Sequence, residues 1–138
     1  MDISKLPSYV ISIKSLDEAN KKVNYLKDYG FSKTIHFPGI IGKNLDIDTT
    51  NPPISMYTKK LLKKQVQRSR HDELYNMGGL GCYLSHYNIW KDIINKGYEW
   101  AIIFEDDAYF KTSKSNIKNI IDKLFDDIYD LKINKSPL

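Results

Sequence analysis

The chain has 138 residues, 41% hydrophobic and 28% charged, which is the balance of a globular domain with one real core and excludes an intrinsically disordered tract. Its formal net charge is +4, carried almost entirely by lysine, so the surface attracts anions in general without selecting among nucleotide, nucleic acid and acidic lipid. The single cysteine, Cys82, excludes an internal disulfide, no apolar stretch approaches the roughly 20 residues of a membrane span, and no signal-peptide pattern opens the chain, so a cytoplasmic protein is expected.

In chain order, Tyr9–Ile13 is a β-branched and aromatic run after Pro7 and reads as a first strand. Ser15 stands three residues before Glu18, a capping box, and Ala19, Val23 and Leu26 repeat at helical spacing, so the sequence predicts a helix over Asp17–Tyr29 with Gly30 as its stop. Phe31–Phe37 follows as a second strand, broken by Gly39 and Gly42. Strand, capped helix and strand open a βαβ unit.

From Lys43 to Met77 the periodicity fails. Asn51-Pro52-Pro53 is a rigid turn, and Lys59–Arg70 carries Lys59, Lys60, Lys63, Lys64, Arg68 and Arg70. That run is an amphipathic helix with Leu61, Leu62 and Val66 inward, or a basic arm that closes over a phosphate; charge runs are more often solvated helix faces. No internal repeat and no second domain are visible, so a single domain over 1–138 is expected.

Met77–Cys82 reads as a glycine-rich turn leading into a helix from Tyr83 to Lys96, with Leu84, Tyr87, Trp90 and Ile94 as its apolar stripe and Gly97 as its stop. Such a turn can cradle a phosphate at a helix start, but it lacks the Gly-Lys-Ser/Thr ending of a Walker loop, and a tight strand-to-helix turn accounts for it better. Ser85 and His86 are not a hydrolytic pair, because helix neighbours point about 100° apart. His86 is either a donor to a ligand at the helix start or a satisfied structural histidine.

The most informative stretch is Trp100–Phe110. Trp100–Phe104 is an apolar run of strand length, expected to be buried on both faces as a central strand, and it ends in Glu105, Asp106 and Asp107. Alternation along a strand sends Glu105 and Asp107 to one side and Asp106 to the other. Two carboxylates at the carboxyl end of a central strand form a hard-oxygen site suited to Mg²⁺ or Mn²⁺, and through the metal to a diphosphate. A Glu-Asp-Asp by itself is more often a solvated acidic turn; the strand before it favours a site. A last helix, capped by Ser115 or Asn116, carries Ile117, Ile120, Ile121, Leu124, Phe125 and Ile128 at helical spacing and is expected to cover the sheet.

Gly81-Cys82-Tyr83-Leu84-Ser85-His86, then Trp90, then Ala101–Asp107, together with Phe37–Gly42 upstream, resemble the signature of glycosyltransferase family 25, which includes lipooligosaccharide and procollagen galactosyltransferases. The resemblance runs from Tyr9 to about Phe125. It implies an α/β fold of the GT-A type with a Rossmann-like nucleotide half, and, because the family's catalytic domain continues past the acidic motif, an amino-terminal portion of that domain. It implies transfer of a hexose, galactose or glucose, from a uridine-diphosphate sugar to a glycan or hydroxylysine-type acceptor, in lipopolysaccharide biosynthesis or protein glycosylation. Glu105 and Asp107 would hold Mn²⁺ (or Mg²⁺), and Asp106, Gly81, Ser85 and His86 would contact the donor; no catalytic residue is assigned. The other reading left open is a truncated, catalytically inactive module for nucleotide-sugar binding or for interaction. A nucleic-acid partner is not expected, since no such motif is present and the acidic trio repels phosphate unless a metal intervenes.

Overall fold

A computed structural model describes residues 2–64 and 74–134, with side chains to residue 130. Its contacts group the chain into two compact units, Met1–Phe37 with Tyr98–Leu138, and Pro38–Gly97.

The first unit is built on a three-stranded sheet of β1 (Ser8–Ser12), β2 (Thr34–Pro38, whose last residue falls in the other unit) and β3 (Ile102–Glu105), in the order β2-β1-β3. β1 and β3 run parallel in the register Ser8↔Ile102 to Ile11↔Glu105. The central strand is therefore β1, whose Ser8, Tyr9, Val10 and Ser12 are buried. β3, expected to be central and covered on both faces, lies at the edge of the described sheet with Ile102, Ile103 and Phe104 half-buried. An apolar run says that a strand is covered somewhere, not on how many sides.

Between β1 and β2 lies α1 (Leu16–Asp28). Ser15 caps it: its Oγ accepts from the Glu18 amide at 3.4 Å and donates to the Glu18 carboxylate at 3.0 Å. The other end is a Schellman motif, with the Gly30 amide donating to Lys27 and the Phe31 amide to Leu26. Gly30 adopts φ +105°, a conformation that a side chain strains, so the predicted stop is where the backbone requires it. This motif consumes Phe31–Lys33, which is why β2 starts three residues later than the sequence pattern suggests. Val23, Leu26 and Phe31 join Ile3, Val10 and Ile117 in the core, with Phe104 and Phe110 packed against it.

α5 (Lys114–Asn134) closes this unit. Its start is marked by Ser113, whose Oγ accepts from the Asn116 amide, rather than by Ser115 or Asn116. Ile117 is buried and Ile121 packs on the core, while Ile120 and Leu124 stay about half exposed, so the helix covers the sheet with its amino-terminal part.

The second unit contains a short helix α2 (Ile47–Thr50), α3 (Met56–Lys64) and α4 (Met77–Asn95). Asn51 ends α2 at φ +42°, in the left-handed region that asparagine tolerates better than most residues. Leu62 of α3 is buried as expected and Lys63 pairs with Asp48; Val66, Arg68 and Arg70 of the basic run lie outside the described residues. Ile47, Leu62, Leu80 and Leu84 form this unit's core.

α4 corrects the sequence reading twice. The glycine-rich segment is not a turn before the helix but its first turn and a half, capped by Asn76, whose side chain accepts from the Gly79 amide at 2.7 Å. Its buried positions are Leu80, Gly81, Leu84, Ser85 and Ile89, whereas Trp90 and Ile94, read as part of the stripe, are 48% and 75% exposed. The helix is oriented by its small residues: Gly81 lies against Ile40 and Gly42, which turns Ser85 and Leu84 inward. Among the described residues no helix is long and apolar enough to cross a membrane.

Candidate functional site

The parallel register carries β1 one residue past Ile11↔Glu105, setting Ser12 beside Asp106. Ser12 is buried, and its Oγ donates to Asp106 Oδ2 at 2.6 Å while accepting from the Lys14 amide at 3.1 Å. Lys14 Nζ adds an ion pair to Asp106 Oδ1 at 3.3 Å. β3 itself stops at Glu105, and the Ala108 amide donates to the Glu105 carbonyl at 3.1 Å, closing a tight turn with Asp106 and Asp107 at its tip. Strand alternation therefore does not reach Asp107, as the sequence reading supposed. The turn nonetheless leaves Glu105 and Asp107 exposed and Asp106 half-buried.

The three carboxylates thus divide. Asp106 is held in place by its neighbours, and no side-chain hydrogen bond or ion pair engages Glu105 or Asp107 among the described residues. Asp106→Ala should cost about 1–2 kcal/mol, because the buried Ser12 hydroxyl loses its acceptor, while Asp106→Asn, which keeps one, should retain most of that; thermal unfolding of the two variants is the check.

Beside the turn, within the same unit, is a cavity of about 250 Å³ lined by Lys14, Glu18, Lys21, Lys22, Tyr25, Asp106 and Tyr109. Lys22 is only 5% exposed. Its ammonium donates to the Ala108 carbonyl and stands over the Tyr109 ring, 3.3 Å from the centroid, with the Tyr25 ring at 4.8 Å. Burial pushes the Lys22 ammonium below its usual range, and Asp106 and Asp107 act in the opposite direction. Tyr25 in turn accepts from the Phe110 amide at 2.9 Å through its hydroxyl. Three ammoniums, two carboxylates and two phenol rings can take up a ligand with an anionic and an aromatic part.

No sequence motif marks these cationic and aromatic residues, although one signal is present. Ala19, Lys22, Val23 and Leu26 follow the i, i+3, i+4, i+7 spacing, so a lysine occupies a position of α1's buried stripe.

Gly81, Ser85 and His86 fall in the second unit. Ser85 is buried and fully engaged: its Oγ donates to the Gly81 carbonyl at 2.7 Å and accepts from the Ile40 amide at 2.8 Å. It fastens the 40–42 turn to α4 and shares no proton with His86. Gly81 serves the same contact, since a Cβ there would lie 2.6 Å from the Gly42 nitrogen. His86 is half-buried, with Nδ1 at 3.0 Å from the Cys82 carbonyl. A carbonyl only accepts, so Nδ1 donates to it, and Nε2 is the ring nitrogen left for another partner.

A divalent cation fits the donor set at the turn in one particular way. Among the described residues no three His, Cys, Asp or Glu side chains stand close enough to hold a metal, so a closed protein cage is excluded for those residues. Two exposed, otherwise unengaged carboxylates match the Mg²⁺ or Mn²⁺ mode in which one or two protein oxygens are completed by water and substrate phosphate.

A sheet with parallel β1 and β3, a helical crossover after β1 and polar groups gathered past the strands' carboxyl ends is an α/β fold of the Rossmann-like type. The model of glycosyltransferase family 25 (LPS biosynthesis protein) matches residues 5–135, and the chain belongs to that family. It is similar to a glycosyltransferase 25 family member of Drosophila melanogaster, 31% identical over 109 residues that make up 75% of this chain and 16% of the fly protein. Procollagen galactosyltransferase 1 of Danio rerio is 36% identical over 55 residues, 39% of this chain and 9% of that protein. The human inactive glycosyltransferase 25 family member 3 is 35% identical over 57 residues, 41% of this chain and 9% of that protein. The chain thus spans less than a fifth of the length of these relatives. No solved structure matches it.

Proposed function

We propose that the chain forms the donor-binding part of a hexosyltransferase that uses a uridine-diphosphate sugar, galactose or glucose, and a glycan or hydroxylysine-type acceptor. The observation that supports this reading is that two exposed carboxylates without a side-chain hydrogen bond or ion pair among the described residues, Glu105 and Asp107, belong to the same turn as Asp106, which lines the lysine- and tyrosine-rich cavity. Glu105 and Asp107 would hold Mn²⁺ or Mg²⁺, which when bound neutralises the charge that grows on a departing diphosphate. Asp106 does its part indirectly: it fixes Lys14 at the cavity, where the ammonium faces an anion. Lys21 and Lys22 add positive potential, and Tyr25 and Tyr109 offer ring surface to a base or sugar. In the second unit, His86 has Nε2 to offer a ligand hydroxyl, whereas Gly81 and Ser85 contribute by holding the 40–42 turn.

Mn²⁺ and uridine diphosphate together should raise the melting temperature by several degrees, because a ligand at 100 times its Kd adds about 2.7 kcal/mol to stability. Each alone should do less. No shift at millimolar concentrations of both would overturn the reading.

A second reading is favoured by the match to an inactive family member at 35% identity, beside the 36% to a procollagen galactosyltransferase. Under it the chain binds a nucleotide sugar without transferring it. Assays of donor hydrolysis and of transfer with several nucleotide sugars separate the two; turnover eliminates the inactive reading.

A further inference from the structure

The backbone on both sides of Asp107 is pinned, and by different means. Before it, Asp106 is anchored through its own carboxylate to Ser12 and Lys14. After it, the anchors come from α1 and grip the main chain: Lys22 Nζ donates to the Ala108 carbonyl and the Tyr25 hydroxyl accepts from the Phe110 amide. Phe110 is further packed among Tyr25, Tyr29, Phe31 and Phe104, with ring centroids 4.9–6.3 Å apart. Asp107 itself has no such tie, and as an exposed carboxylate at a turn tip it would otherwise be free to move.

We propose that Lys22 and Tyr25 are positioning residues that hold segment 106–110 from α1, so that Asp107 presents its carboxylate to a divalent cation from a fixed backbone. The proposal rests on the reading of Glu105 and Asp107 as metal ligands. Its physical ground is entropic: a ligand on a loose turn must be ordered when the ion binds, whereas a clamped turn has met that cost on folding. Lys22 suits the task because its stem lies along α1's apolar face while its head reaches past it to a carbonyl. A methionine would fill the same stripe without the desolvation of an ammonium, so packing alone does not account for a lysine there.

Since Lys22 also lines the cavity, the probe must separate a grip on the turn from a direct contact with an anion. Mn²⁺ alone, without nucleotide, does so by sign. Removing a cation beside Asp106 and Asp107 should tighten Mn²⁺ binding if charge is all that changes, and weaken it if the turn loosens. On the full chain, Lys22→Met is expected to weaken Mn²⁺ binding, read by electron paramagnetic resonance, about fivefold, with Lys22→Arg restoring most of it. Tyr25→Phe, a mild change that keeps the ring, should speed amide exchange at Phe110 about tenfold, and Lys22→Met should do the same at Ala108 and Phe110, with Ile102 unaffected in both. Val23→Ala, beside Lys22 in the core, should lower the melting temperature while leaving Mn²⁺ affinity unchanged. Mn²⁺ binding that is equal or tighter in Lys22→Met, or equally weakened in Val23→Ala, overturns the proposal. If the parent itself binds no Mn²⁺, the metal reading of Glu105 and Asp107 falls instead, and unchanged exchange at Ala108 and Phe110 in both variants then overturns the clamp by itself.

Discussion

Gly42→Ala is expected to lower the melting temperature by roughly 10 °C, a loss of about 3 kcal/mol or more. A Cβ at Gly42 would overlap the Met77 carbonyl and lie 2.9 Å from the Gly81 nitrogen. Both neighbours are main chain, one of them in the first turn of α4, so no flexible side chain can swing away. The 40–42 turn would have to leave α4, and with it would go the Ile40 amide's bond to Ser85, leaving buried polar groups unpaired. Gly81→Ala meets the same backbone from the other side and should cost a similar amount. Gly78→Ala is the control: its Cβ would meet nothing nearer than the Asn76 side chain at 3.4 Å, and alanine favours helix over glycine, so stability should be unchanged or a few tenths of a kcal/mol higher. Thermal melts of the three variants decide the matter; an undamaged Gly42→Ala protein would refute the close approach of this turn to α4.

Asp107→Asn is expected to weaken Mn²⁺-dependent binding of uridine diphosphate at least tenfold, about 1.4 kcal/mol, while leaving the melting temperature of the unliganded chain within about 2 °C of the parent. The substitution nearly preserves volume but removes a charge and weakens an oxygen ligand to a hard cation. Folding should not suffer because no hydrogen bond or ion pair holds the Asp107 carboxylate among the described residues. Asp106→Ala should show the opposite profile, losing stability first, since Ser12 and Lys14 depend on it. A plain acidic turn predicts that Asp107→Asn leaves nucleotide affinity where it was. Measuring affinity and unfolding on the same two proteins therefore sorts a ligand from a structural carboxylate, and unaltered binding by Asp107→Asn would remove the reason for placing a metal at this turn.

The sequence by itself determined the local elements whose signals are local. Ser15 with Glu18 announces a helix start because a hydroxyl three residues ahead reaches the exposed amides. Gly30 announces its end because only a residue without Cβ takes φ +105° at no cost. The apolar run ending in Glu105–Asp107 marked the strand end where the carboxylates stand, and the spacing of Gly81–His86 with that run carried the family. What tertiary structure decided is whatever depends on partners distant in the chain. The acidic trio is uniform in sequence, yet it splits into an anchored Asp106 and two unengaged carboxylates because β1, paired in parallel with β3, brings Ser12 and Lys14 to one of them only. The glycines before Tyr83 read as a turn because helix propensity counts against glycine; α4 requires one of them, Gly81, because the closeness of the 40–42 turn leaves no room for a Cβ there. Lys22 looked like one lysine among many, and only the fold shows it buried against Ala108, 86 residues away, since a helical pattern tells which face is covered but not what covers it.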